Sequence, residues 1–287
     1  MAGSSFGDIF RITTWGESHG MGLGVVVDGC PAGITLNEDI IQEYMNRRRP
    51  GAIRFATKRN EADKITIMSG VFEGRTTGTP ISMLVFNEDQ HSRDYSQIAS
   101  CYRPGHADYT FDCKYGFSDY RGGGRSSGRE TIGRVAGGAV ALAFLKELGI
   151  EITAYTRQIG PVAIDNPLST DLLELRQAIM NSEIYMPDEA KTKDAVDYLS
   201  RMTENMDSAG GMVECVVNGV PAGLGDPVFD KLDAQLAKAI MSIGAVKGVE
   251  FGEGFRVAAM SGSENNDSFR INDGKITKET NHSGGVL

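Results

Sequence analysis

Lysine and arginine are in short supply here: they total 29 against 38 aspartates and glutamates, for a formal net charge of -9 and an isoelectric point near 5.1. That deficit excludes the broad basic surface that holds nucleic acid or anionic lipid non-specifically, so an anionic ligand must be caught by a local cluster. Cysteine is sparse too. Cys30, Cys101, Cys113 and Cys215 show neither CxxC pairing nor zinc-type spacing, which points to reduced thiols in a cytoplasmic protein. The opening "MAGSSFGDIFRITTWGESHG" lacks the charged-then-apolar pattern of a secretory signal. The longest apolar run, 135–145, falls short of the roughly 20 residues of a membrane span. What is present suits a water-soluble globular protein: 287 residues, 40% of them hydrophobic, make one large or two ordinary domains with ample core.

The sequence holds an internal echo. "VVDGCPAGI" at 26–34 and "VVNGVPAGL" at 216–224 match at six of nine positions, and each follows a β-branched run and leads toward a helical pattern. The first helix is expected to open on a Thr35/Glu38 capping box and to stop at Pro50 and Gly51. The second is expected to open at Asp226 with Pro227 in its first turn, carrying Phe229, Leu232, Leu236 and Ile240. Two strand–turn–helix units, near 22–50 and 212–243, therefore read as a duplication within one 287-residue domain.

Glycine, arginine and serine crowd "GGGRSSGRE" at 122–130. Ser127 and Glu130 have capping-box spacing, so a helix is expected just after Ser127, running through "TIGRVAGGAVALAFLKEL" to Gly149. Its near-continuous apolar character predicts burial on most sides, and its glycines and alanines allow close packing. A glycine loop feeding a buried helix N-terminus, with Arg125, Arg129, Ser126 and Ser127 beside it, suits a phosphate or carboxylate. It equally suits a flexible surface loop with an ordinary cap. A Walker loop is poorly supported because no Gly-Lys-Ser/Thr follows the glycines.

A second basic cluster favours the anion site. Arg47, Arg48, Arg49, Arg54, Lys58 and Arg59 occur without an acid between Glu43 and Glu61. Some of that charge belongs to an ordinary helix C-terminus, but the preference for arginine fits bidentate recognition of carboxylate or phosphate. Of the four histidines, His19 in "WGESHG" and His106 in "YRPGHAD" stand in glycine-flanked loops, where an imidazole beside anions can act as a general acid. His91 and His282 lie in polar stretches.

In order along the sequence, "GESHG", "DGCPAGI", "RRRPG", "SGVFEGRTTGTPISMLV", "YRPGHADYT", "YRGGGRSSGRET", "GVPAGLGDPVFDKLDAQLA" and "NHSGG" resemble chorismate synthase, a resemblance that spans essentially all of these 287 residues. The resemblance implies a lyase that eliminates phosphate from 5-enolpyruvylshikimate 3-phosphate in an anti 1,4 sense, with reduced FMN as cofactor. It implies an α+β fold, a β-α-β sandwich with a central helical layer between two mainly antiparallel sheets, and a cytoplasmic homotetramer without nucleic-acid or membrane partners. By the same resemblance His19 is the proton donor to the departing phosphate and His106 the histidine at the reduced flavin. Arg125, Ser126, Ser127, Gly244 and Ala245 border the cofactor, and Arg48, Arg54, Arg103 and Arg129 line the anionic substrate; no metal is implied.

Two features depart from the family's pattern. Gly244 and Ala245 stand where the family has Asn-Ala, and the family's sequences continue past "NHSGGVL" with a further flavin segment and an Arg-x-Asp motif. The expectation is accordingly a protein truncated at its C-terminus relative to the family. A non-catalytic fragment that still binds a phosphorylated ligand is the alternative function, and a nucleotide- or RNA-binding module is opposed by the acidic balance. Self-reduction of the flavin by NADPH is left open by the sequence.

Overall fold

The computed structural model describes residues 3–51, 54–55, 61–88, 101–117, 119, 122–165 and 171–284. They fall into two compact units, Met1–Val220 and Pro221–Leu287. The first begins with strands β1 (Ser5–Phe6), β2 (Arg11–Gly16) and β3 (Gly22–Asp28), then helix α1 (Glu38–Arg48). Four strands follow: β4 (Thr66–Ser69), β5 (Val71–Phe72), β6 (Arg75–Thr76) and β7 (Ile81–Phe86). Next come helices α2 (Asp108–Tyr115) and α3 (Thr131–Glu147), strands β8 (Glu151–Ile159) and β9 (Val162–Ala163), helices α4 (Leu172–Asn181) and α5 (Glu189–Glu204), and strand β10 (Gly211–Asn218).

The valine-rich β3 is the middle of a five-stranded sheet ordered β1-β2-β3-β7-β4. Every pairing is antiparallel, with Val25 opposite Thr14 on one side and Met83 on the other. Leu23, Val25 and Val27 share one face of β3 and are at most 1% exposed, and Gly22 and Gly24 on the opposite face are buried as well. Strand β7 alternates instead, burying Ile81, Met83 and Val85. Helix α1 packs against α3, and α3 meets β2 and β3 of this sheet as well as β8. Strand β8 belongs to a second antiparallel sheet, β10-β8-β9. The fold is thus α+β, with helix between antiparallel sheets.

Small residues permit this packing, as their frequency in α3 predicts. A Cβ added at Gly133 would lie 2.8 Å from Thr14 Cγ2 of β2. The burial of α3 is confined to its first half, however. Ile132, Ala136, Ala139 and Val140 are buried, whereas residues 141–145 are half-buried and 146–149 exposed. In the polar stretch that follows β9, α4 and α5 are capped by Asp171 and Asp188 and pack over two small clusters around Tyr155 and Met186.

All three expected helix starts shift. Asn37, not Thr35, caps α1 by accepting from Ile40 N at 2.9 Å, because a short Asx side chain reaches the first-turn amides directly. Ser127 is followed by a 3-10 turn, Gly128–Glu130, before α3 proper. Its hydroxyl accepts from Arg129 N, while Glu130 turns away to Thr14 and Arg134; no capping box forms there. The helix expected from Asp226 begins only at Leu232, after an isolated bridge between Asp226 and Asp230.

The second unit contains that helix, α6 (Leu232–Met241), a short α7 (Gly262–Asn265) and a hairpin of β11 (Phe269–Asn272) with β12 (Lys275–Lys278). A true capping box does occur at its Ser261 and Glu264. Asp267 organises the "NHSGG" segment, accepting from Lys278, Thr280 and the amides of His282 and Ser283. Burial opposes ionisation of Asp267, but these four donors outweigh it and hold the carboxyl well below the usual range. The sequence echo persists in the backbone: Gly29 and Gly219 have φ of 75° and 77°, and Gly33 and Gly223 have 90° and 95°.

Candidate functional site

Strand β2 ends at Gly16, and the backbone turns through 17–20 before entering β3, with Gly20 N donating to Glu17 O at 3.2 Å. This turn carries His19. Its Nδ1 lies 3.1 Å from the hydroxyl of Ser18, a residue only 2% exposed. Against the ring lies Gly122, the first glycine of the loop 122–124. Its φ is +80°, and an added Cβ would overlap His19 Nδ1 and Cε1. Glycine is required twice over, for the left-handed backbone and for the approach of the imidazole.

A third segment closes on the same glycine. Arg103 donates from Nη2 to Gly122 O at 3.1 Å, and from Nε and Nη2 to the two oxygens of Asp108 at 2.8 and 2.7 Å. The bidentate hydrogen bonds from Arg103, aided by its backbone amide and opposed by desolvation, hold the Asp108 carboxyl down at about 2. His106, on the turn between these partners, is exposed and has Nδ1 3.1 Å from Pro104 O. A carbonyl only accepts, so Nδ1 carries hydrogen and Nε2 is left for exchange.

Because the folded-state pKa of Asp108 is depressed, the stabilisation by Arg103 is fully present above the unfolded value of about 3.9 and is lost as pH falls through about 2. The Asp108 carboxyl carbon is expected to titrate by NMR with a midpoint near 2; a midpoint near 3.9 would show that the pair does not form.

The remaining arginines divide by exposure. Arg125 turns back onto β2, donating to Gly16 O at 3.1 Å and to Thr14 Oγ1 at 2.6 Å, so it ties the glycine loop to the strand that delivers His19. Ser126 Oγ donates to Gly123 O within the loop at 2.7 Å. Arg129 is 4% exposed, with Nη1 3.0 Å from Asp63 and Nη2 3.9 Å from Glu61. Both contacts are Coulombic rather than directed, for neither Nη atom is in hydrogen-bonding geometry. Arg48 reaches Asp63 at 2.5 Å, Thr131 Oγ1 at 3.0 Å and Gly128 O at 3.2 Å. Arg48 and Arg129 therefore meet at Asp63 beneath the start of α3.

Arg54 is exposed, its guanidinium 5.3 Å from the Phe55 ring centroid. In the "RRR" triplet, Arg47 lies over Tyr185, and Arg49 is exposed with no ion partner among the described residues. Lys58, Arg59 and His91 lie outside the described residues. Gly244 and Ala245 belong to the second unit, just beyond α6, where Ala245 takes a φ of 69°.

Sequence reasoning missed Ser18, Glu61, Asp63 and Asn87. Glu61 and Asp63 follow directly on the basic run that ends at Arg59. That adjacency of opposite charge is the signal that could have found them. Asn87 has no comparable signal. Among the described residues no group of three or more His, Cys, Asp or Glu is placed to hold a metal ion, and no helix is long and apolar enough to cross a membrane.

A family model described as chorismate synthase matches residues 10–287. Curated relatives described as chorismate synthases include proteins from Lachnoclostridium phytofermentans, 64% identical, and Agathobacter rectalis, 61% identical, each alignment covering 100% of this chain and 77% of the relative. A third, from Methanosarcina mazei, is 53% identical over 100% of this chain and 78% of its own. A solved structure described as a crystal structure of chorismate synthase superposes with a TM-score of 0.81 at 32% identity, covering 97% of this chain and 81% of that one.

Proposed function

The chain belongs to the chorismate synthase family, and from that premise we propose that it converts 5-enolpyruvylshikimate 3-phosphate to chorismate and phosphate with reduced FMN as cofactor. The observation that carries the reading is the meeting of three segments at Gly122: the imidazole of His19 against its α-carbon and the guanidinium of Arg103 on its carbonyl. Two ionisable groups of different chemistry are thereby held to one stretch of flexible backbone next to a helix start.

Phosphate departs readily only when its growing charge is met by a proton and by cations. In its protonated form His19 donates from Nδ1 to the Ser18 hydroxyl oxygen, 3.1 Å away, and presents the Nε2 proton to the leaving oxygen. Arg54 and Arg103 supply positive charge. Arg48, Arg125 and Arg129 act by holding the loop and the start of α3 in place.

The site fits a phosphorylated flavin in two respects. Open space lies beside the α-carbons of Gly124 and Gly128, so the backbone of the loop is approachable. His106 is exposed with Nε2 uncommitted to its own turn. Residues 124–128, with the hydroxyls of Ser126 and Ser127, would hold the cofactor and His106 would keep a proton for it. When bound, reduced FMN supplies electron density to the substrate as the C–O bond breaks.

Anaerobic phosphate release from 5-enolpyruvylshikimate 3-phosphate tests this. Release that requires reduced FMN is the expected result. A protein folded by circular dichroism that binds the substrate but releases no phosphate with reduced FMN would reduce the function to ligand binding.

A further inference from the structure

We propose that Asn87 is the positioning residue for His19, an inference that rests on the catalytic reading of His19 given above. Asn87 directly follows β7, and its main-chain N–H donates to Met21 O at 3.0 Å, so its own backbone is anchored at the end of the sheet. Its carboxamide then reaches the turn that carries the histidine. Nδ2 donates to Glu17 O at 3.0 Å and to Gly20 O at 2.8 Å, the two carbonyls that bracket Ser18 and His19. Oδ1 accepts from Arg129 Nε at 2.9 Å.

Partner chemistry fixes this orientation. Arginine Nε can only donate and a carbonyl can only accept, so the amide oxygen must face Arg129 and its nitrogen must face the turn. Aspartate offers no donor and serine only one, which leaves a carboxamide as the short side chain with two donors and an opposed acceptor. Arg129 is in turn held by Asp63 and Glu61, themselves 2% and 1% exposed. Glu61 accepts from Glu88 N at 3.0 Å, so this carboxylate also grips the backbone next to Asn87. A path of polar contacts, buried at the carboxylates and Arg129 and half-buried at Asn87, thus runs to the backbone on both sides of His19. A displacement of about 1 Å in a reacting group can lower a rate about 100-fold, and Asn87 is the side chain that restrains both flanks of the turn.

Asn87→Asp tests this, because it keeps the size and the acceptor for Arg129 and turns a carboxylate oxygen toward the two carbonyls. Turnover is expected to fall about 10- to 100-fold with KM within about threefold. Hydrogen–deuterium exchange of residues 16–21 is expected to rise at least about tenfold while β3 and β7 are unchanged. In a His19→Ala background the same substitution is expected to leave the residual turnover unaltered. Wild-type turnover and exchange in Asn87→Asp would overturn the proposal, as would an undiminished effect in the His19→Ala background. Should Asn87→Asp not fold, exchange in the wild-type protein decides. Residues 17–21 must be protected to the level of β7, and free exchange there overturns the proposal. A His19→Ala protein with full turnover defeats the catalytic reading of His19 and the functional part of this one, while exchange still reports separately whether Asn87 holds the turn.

Discussion

His19→Ala is expected to lower phosphate release about 10²- to 10⁴-fold while leaving substrate affinity within about threefold. The size of the effect follows from what the imidazole does and from how it is held. As a proton donor it acts on a bond that is breaking, so its removal is felt in the transition state rather than in the bound substrate. Ser18 and the α-carbon of Gly122 both close on the Nδ1 edge of the ring, which keeps the donor near one position without motion at the moment of reaction. Stopped-flow phosphate release under anaerobic conditions, with binding measured separately by calorimetry, resolves the two quantities. A variant that turns over within threefold of the wild type would remove His19 from the chemistry, and a variant that loses binding as steeply as rate would make it a ligand contact instead.

The features that were legible in the sequence are those set by neighbours along the backbone. The valine run of β3, the amphipathic α1 and the apolar α3 are local patterns, and each became the element its periodicity indicates. The glycine loop was legible as a place of close approach, though the group that approaches, His19, is more than a hundred residues away in sequence. What could not be read is how distant polar groups choose among partners. Ser127 and Glu130 have the spacing of a capping box, yet Glu130 instead accepts from Thr14 and pairs with Arg134, because β2 brings a hydroxyl to the start of α3. The basic stretch ending at Arg59 read as a catcher of external anions. For Arg48 the anion is internal, since the backbone folds back and sets Asp63 against it. A count of charges cannot separate an arginine held by its own protein from one held in reserve for a ligand; only the geometry of the carboxylates does.

That internal pairing has a large consequence for stability. Asp63→Asn is expected to destabilise the first unit by about 3–5 kcal/mol, the range for breaking a buried ion pair on one side. The Asp63 side chain is fully buried and faces two guanidinium groups, Arg48 at 2.5 Å and Arg129 at 3.0 Å. Asparagine would retain one acceptor for Arg48 but turn an amide nitrogen toward Arg129, placing donor against donor in a site closed to water. Arg48 is 15% exposed at its side chain and can recover some hydration, whereas Arg129 at 5% cannot. Asparagine is also the substitution that isolates charge from backbone, because Asp63 has a φ of 45° and Asn is among the few residues that tolerate the left-handed region. Alanine at the same position would add strain to the loss of charge. Urea unfolding followed by Trp15 reports on the right part of the molecule, for it is the protein's one tryptophan and lies on β2 of this unit. With an m-value of about 1–3 kcal/mol per molar, the midpoint should fall by about 1 M or more. A fall of less than about 0.2 M would mean that the two arginines are stabilised without Asp63, and the polar path from the carboxylates to the His19 turn would lose its anchor.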